Sequence, residues 1–324
     1  MEPFLFNPYF KNVIWGGDKI CRYKGIPQSE PNIGESWEIS AIPGHESVVA
    51  AGKHKGLTLT RLVELLGVEL LGERVVERYG LRFPLLIKFI DARDNLSVQV
   101  HPDDDLALSR HNSFGKSELW YIIDTEPGAK IFSGLRTQMT PDEYAVRVAD
   151  GSFADTLAVH DSAPGDVFFL PSGRVHAIGS GNFLAEIQQS SDVTYRIYDY
   201  DRRDAEGRPR ELHTDLARDA IDFTVLPDYK SPRPSESEKD CELVSCEHFT
   251  TRRLIVDGCT ELELTPGSFS VLICIDGQVE IQCTDVINNK KTSIPLPAGQ
   301  SALIPAALPR VTLRGRATLL LTHV

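Results

Sequence analysis

The sequence is short of positive charge: 34 Lys and Arg face 46 Asp and Glu across 324 residues, a net charge of -12. That balance excludes a broad nucleic-acid surface, which needs clustered cations, and leaves an anionic ligand possible only in a local basic pocket. No apolar run approaches the roughly 18 residues of a membrane span, so none is expected. The opening MEPFLFNPYFKNVIWGG has no basic stretch ahead of a long apolar core, and no signal peptide is expected. The six cysteines, Cys21, Cys241, Cys246, Cys259, Cys274 and Cys283, form no CxxC pair. Most fall in strand-like runs such as SVLICIDG. Buried thiols in a reducing cytoplasm are therefore expected, rather than a disulfide framework or a zinc knuckle.

What is present is an ordinary globular composition, 41% hydrophobic and 25% charged, long enough for a large core in two domains. GESWEISAI (34–42) and SELWYIID (117–124) read as strands. Residues 57–79 have helical spacing divided by Gly67 and Gly72. Thr140, Pro141 and Glu143 open a small helix with a capping box. The charge-dense RRDAEGRPRELH reads as a solvated loop, and residues 226–240, rich in Pro, Ser and charge, as a linker. This divides the chain into 1–225, the linker and a strand-rich 241–324.

PGDVFFLPSGRVH (164–176) and AGQSALIPAALPR (298–310) can be superposed. Gly165 then meets Gly299, Pro171 meets Pro305, and His176 falls opposite Arg310. The upstream strands SELWYIID and SVLICID align similarly, with Glu118 near Ser270. The chain reads as a duplicated β-domain whose second copy lacks the polar residues of the first.

In PLLIKFIDARDNLSVQVHPDDD (84–105), Ser97, Gln99 and His101 are spaced two apart, which sends them to one face of a strand. Leu96, Val98 and Val100 take the other face. Gln99, His101, Glu118 and His176 are candidate metal ligands, since imidazole nitrogen with carboxylate or amide oxygen suits a hard or borderline divalent ion. Glu118 opens a strand whose same-face neighbours Trp120 and Ile122 are apolar, a costly place for an unpaired carboxylate. Lys88, Lys116 and Arg196 are each consistent with a snorkelling or ion-paired structural role and with a place at the site.

GDVFFLPSGRVHAIGSGN resembles the second cupin motif, with Gly165, Pro171, Gly173 and His176 in place and Ser180 where Asn is usual. Gln99-Val100-His101 replaces the usual His-x-His of the first motif. That alteration, with WGG (15–17), GESWE (34–38), PLLIKFIDA, LSVQVHPDD, GKSELWYII and RELH, resembles the type I mannose-6-phosphate isomerases over almost the whole chain, in their short bacterial form. The resemblance implies a mainly β fold of two cupin domains (double-stranded β-helices, or jelly rolls) with a few short helices. The first, 1–225, would be catalytic and the second, 241–324, metal-free. It implies one Zn²⁺ per chain on Gln99, His101, Glu118 and His176. Arg196, Lys116 and Glu186 match catalytic positions, and Lys88 and Ser97 match positions linked to substrate phosphate.

The implied activity is a cytoplasmic interconversion of mannose 6-phosphate and fructose 6-phosphate through a cis-enediol(ate), with a small phosphosugar as partner and neither nucleic acid nor membrane. Glu186, Lys116 and water at the site stay open as the proton carrier. Other readings are a non-catalytic sugar-phosphate binder and an isomerase of a related sugar such as glucose 6-phosphate. An iron-dependent cupin dioxygenase is disfavoured, because such enzymes usually keep the His-x-His pair. The oligomeric state is left open.

Overall fold

A computed structural model describes residues 1–28, 30–203, 206–235, 237–285 and 290–324. The fold is mainly β. One barrel joins a six-stranded sheet to a five-stranded one, and an eight-stranded sheet forms a second body. The six-stranded sheet runs Val167–Leu170, Glu118–Thr125, Asn182–Gln189, Leu85–Ala92, Ile33–Ile39, Tyr9–Asn12. The five-stranded sheet runs Tyr195–Tyr198, Val98–Val100, His176–Ile178, Lys130–Leu135, Leu157–Asp161. Ile90, Trp120, Phe168 and Leu184 of the first sheet pack with Ile131 and Ile178 of the second in one shared core.

Strands Leu85–Ala92 and Asn182–Gln189 are buried at every position, so neither shows the alternation of a half-solvated strand. Period two survives in what each face touches. Leu85, Ile87 and Phe89 point outward, as do Phe183, Ala185 and Ile187. There they join a core with Leu62, Leu70 and Val75 of the short helices and with Phe269, Val271, Ile273 and Leu303 of the second body. Ile90 and Leu184 point into the first barrel, and the same alternation sends Lys88 and Glu186 that way.

The helices over 57–79 end where the glycines predict: Leu59–Leu66, Val68–Leu71 and Glu73–Tyr79 are separated by Gly67 and Gly72, both with positive φ. Thr140 and Glu143 form the expected reciprocal cap on helix Pro141–Ala149. Among the described residues no helix is long and apolar enough to cross a membrane.

The internal repeat is geometric. Strand Val167–Leu170 pairs with the strand opened by Glu118, placing Leu170 opposite Glu118. Strand Ser301–Ile304 pairs with the strand opened by Ser270, placing Ile304 opposite Ser270. Gly165 and Gly299, the superposed turn residues, have φ of 87° and 80°. The ladder is the same in both bodies; the side chains facing inward differ.

Several features depart from the linear reading. Phe4–Asn7 belongs to the second body, pairing with Ser301–Ile304 and Val48–Val49. Tyr23 donates to the Ile275 carbonyl at 2.6 Å, and Lys24 binds Glu38 at 2.8 Å and also the Gly299 carbonyl, clasping the second body to the first. Within segment 226–240, residues 229–233 are docked rather than loose. Tyr229 is buried, its hydroxyl donates to the Leu135 carbonyl at 2.9 Å, and its ring fills the space beside Gly134. Cys259 is exposed, and Cys241 and Cys246 are half-buried, against the expectation that the thiols are buried.

Candidate active site

His101, Glu118 and His176 come together from three strand contexts, all three about 1% exposed, with their ligand atoms within 4.8 Å of one another. Sheet register explains this. His176 pairs with Gln99 across the five-stranded sheet, and Glu118 opens the facing strand. His101 Nε2 lies 3.3 Å from Glu118 Oε1, and His176 Nε2 lies 3.6 Å from Glu118 Oε2. The outer nitrogens are held by backbone: His101 Nδ1 donates to the Val193 carbonyl at 2.9 Å and His176 Nδ1 to that of Arg174 at 2.8 Å. Both Nε2 atoms are thereby left as acceptors directed at the cluster. Gln99 completes the group, its amide 3.3 Å from His176 Nε2.

Neither oxygen of Glu118 accepts a hydrogen bond, although both are buried. The Lys116 ammonium is an ion-pair neighbour at 2.7 Å. Burial opposes the charge on Glu118, but the Lys116 ammonium overrides it and holds the carboxyl well below the usual range. Burial, then the Lys116 ammonium, pushes His101 down to about 4, and burial lowers His176 as well. Two neutral imidazoles, an ionised carboxylate paired with the Lys116 ammonium and an adjacent amide fit a hard or borderline divalent ion.

Through Gln99 and Lys116 the cluster adjoins a cavity of about 290 Å³. Lys88, Ser97, Glu186 and Arg196 line it too. Val13, Trp15, Ile90, Leu96 and Ile178 give it one apolar wall. Every site residue expected from the sequence is thus either in the ligand cluster or on this cavity.

Their pairings differ from the sequence reading. Glu186 has both oxygens occupied, accepting from Lys88 Nζ at 2.8 Å and from Trp120 Nε1 at 2.8 Å. Lys88 is also 3.8 Å from Glu35, which accepts from Trp37 Nε1 at 2.7 Å. Burial would discharge Lys88, but Glu186 and Glu35 raise its pKa. Arg196 does not use the nearby Asp199. That carboxylate is taken by Arg202 and by Arg210, whose Nε donates at 2.7 Å. Among the described residues, Arg196 donates to the Glu211 carbonyl at 2.9 Å and its buried Nε finds no partner.

The linear reading missed Lys11, Glu35, Trp37, Asp192, Thr194, Arg210 and His213, which also line the cavity. Arg210 and His213 lie in the segment expected to be a solvated loop. It folds back because His213 N–H donates to the Arg196 carbonyl at 2.7 Å and Asp199 grips Arg210. The GESWE and RELH motifs carried the available signal for Glu35, Trp37, Arg210 and His213.

The fold and site define a two-cupin protein whose first barrel carries the His101–Glu118–His176 cluster and opens on a polar cavity. Comparison with known proteins makes this specific. Residues 4–125 match the family described as phosphomannose isomerase type I, catalytic domain, and residues 239–324 match the mannose-6-phosphate isomerase cupin domain. The chain is 35% identical over 330 residues to mannose-6-phosphate isomerase ManA of Bacillus subtilis, covering 100% of this chain and 99% of that one. It is 36% identical over 272 residues to a mannose-6-phosphate isomerase of Streptococcus mutans, covering 82% of each. A crystal structure of the mannose 6-phosphate isomerase from Bacillus subtilis superposes with a TM-score of 0.89 at 34% identity, covering 100% of both chains. The chain belongs to the type I mannose-6-phosphate isomerase family.

Proposed function

We propose that this protein is a metal-dependent aldose–ketose isomerase interconverting mannose 6-phosphate and fructose 6-phosphate in the cytoplasm through a cis-enediol(ate). The observation that carries the reading is the buried His101–Glu118–His176 cluster, which adjoins an Arg196-lined cavity in a chain of this family. Residues 1–225 would carry the chemistry, 226–240 would connect, and 241–324 would form a metal-free cupin. His101, Glu118, His176 and Gln99 would hold one Zn²⁺, which when bound supplies Lewis acidity toward a sugar carbonyl.

The lining cations Lys11, Lys88, Lys116, Arg196 and Arg210 outnumber the lining carboxylates Glu35, Glu186 and Asp192. That is the local basic pocket an acidic protein needs for a phosphosugar. Ser97 and Lys88 are assigned to the phosphate. Because Lys88 is already shared between two carboxylates and Arg210 is paired with Asp199, Lys11 is assigned the further counter-charge. The unpartnered Nε of Arg196 is a donor for the oxyanion that develops as the proton leaves C2. Because both oxygens of Glu186 already accept hydrogen bonds, this reading does not give it the proton. Lys116 beside the cluster and Asp192 at the cavity are the groups assigned to moving the proton.

A coupled assay with mannose 6-phosphate, run with and without chelator, tests this. Turnover should be lost to the chelator and restored by Zn²⁺. Purified protein that takes up no stoichiometric divalent ion, or takes one up and turns over neither mannose nor glucose 6-phosphate, would overturn it.

A further inference from the structure

Four residues form a continuous row across the six-stranded sheet. Trp37 is the register partner of Lys88, Lys88 of Glu186, and Glu186 of Trp120. The row is closed by hydrogen bonds at its inner end. Lys88 fixes one Glu186 oxygen and the Trp120 indole N–H fixes the other, each at 2.8 Å. A carboxylate 3% exposed and held from both sides has no freedom to turn, and the indole it accepts from is itself fully buried.

Trp120 stands edge to face against His176, with ring centroids 5.3 Å apart and planes at 85°. His176 is also restrained by the Gln99 amide 3.3 Å from Nε2, by the His101 ring with centroids 4.8 Å apart, and by the bond from Nδ1 to the Arg174 carbonyl. That bond selects the tautomer and anchors one edge of the ring. The indole limits rotation of the ring plane, and with it the direction of Nε2 toward Glu118.

We propose that Trp120, held by Glu186 and Lys88, is the positioning residue for the His176 imidazole, and that Glu186 acts through it rather than on substrate. This rests on the reading of His176 as a metal ligand. Removing groups that orient a ligand in this way typically weakens metal binding about 10- to 100-fold.

The test uses the full chain freed of metal and titrated with Co²⁺, read by affinity and by the visible d–d spectrum, both independent of turnover. Trp120→Phe keeps an aromatic wall but removes the indole N–H. It should weaken Co²⁺ binding about 10-fold and alter the band shape. Trp37→Phe changes the far end of the row in an equally buried place, and should leave affinity within about threefold and the spectrum unchanged. The pair Lys88→Met with Glu186→Gln removes the charges but keeps an acceptor for Trp120, so it should bind more tightly than Trp120→Phe and keep the native spectrum. Circular dichroism verifies that each variant is folded.

Equal affinity and spectrum in Trp120→Phe and the unmodified protein would overturn the positioning role. So would equal weakening in Trp120→Phe and Trp37→Phe, which marks a general loosening of the core. If the unmodified protein binds no stoichiometric Co²⁺, the ligand assignment itself fails, a different result from either of these.

Discussion

Lys24 and Glu38 are only 6% and 4% exposed, and the ammonium lies 2.8 Å from both carboxylate oxygens. Lys24 also donates to the Gly299 carbonyl in the second body, while Glu38 accepts from the Ser36 hydroxyl. Replacing Lys24 with methionine keeps most of the stem but leaves a carboxylate buried with one hydroxyl donor. Breaking a buried pair from one side costs about 3–5 kcal/mol, and the unmatched Gly299 carbonyl adds about 1 kcal/mol. Against a total stability of about 5–15 kcal/mol this is a large fraction. Glu38→Met should cost less, since Lys24 keeps the Gly299 carbonyl. Removing both charges should return the protein to within about 2 kcal/mol of its starting stability, because well-packed apolar groups replace a buried pair at little cost. Urea unfolding of the metal-free protein, followed by tryptophan fluorescence and circular dichroism, measures each corner of this cycle. A Lys24→Met deficit below about 1 kcal/mol, or a double variant equal to the sum of the singles, would refute the claim that the pair acts as a unit.

Arg196→Ala should reduce turnover at least about 100-fold while the metal content of purified protein stays near one per chain; unchanged turnover would remove its assignment. His101→Ala and His176→Ala should lose bound metal and activity together by elemental analysis and assay. Burial opposes the charge on Glu35, but Lys88 and Lys11 hold its pKa below the usual value. Its ionised form therefore stabilises the fold above the unfolded value of about 4.3, and this contribution is lost as pH falls through the lower folded value. Urea midpoints between pH 5 and 3 should accordingly fall less steeply in Glu35→Gln. Gly134 has φ of 77°, and an added Cβ would lie 2.0 Å from the Tyr229 ring. Gly134→Ala should cost about 2–4 kcal/mol, partly recovered by Tyr229→Ala in a thermal melt.

The ligand set was legible because its signals are local. Gln99 and His101 share a strand face by spacing, and Glu118 stands out as a carboxylate on an apolar face. The duplication was legible because a Gly-to-Pro turn fixes the chain direction in both copies. The pairings were not. Whether Lys88 meets a phosphate or Glu186 depends on the register between strands whose partners are 98 residues apart. Nothing in LLIKFI encodes that register. Arg210 was misplaced for a related reason: a charged run reads as solvated until one buried carboxylate, Asp199, is found to grip two of its arginines. Segment 226–240 looked loose by composition, yet Tyr229, Lys230, Ser231 and Arg233 all bond to the first barrel.

The pairing of Phe4 with Leu303 and Leu5 with Ala302 has a consequence for how the protein is made. During synthesis, the partner of these early residues emerges only after nearly 300 others have left the ribosome. The first barrel can assemble its own sheets before then, and Phe6 and Asn7 can pair with Val48–Val49, but Phe4 and Leu5 must wait as an unsatisfied edge. Folding by successive domains is therefore incomplete by design, and the last strands of the second body close a seam opened nearly 300 residues earlier. A chain arrested before residue 301 should remain vulnerable to proteases around Phe4 and Leu5 even after its first barrel has formed.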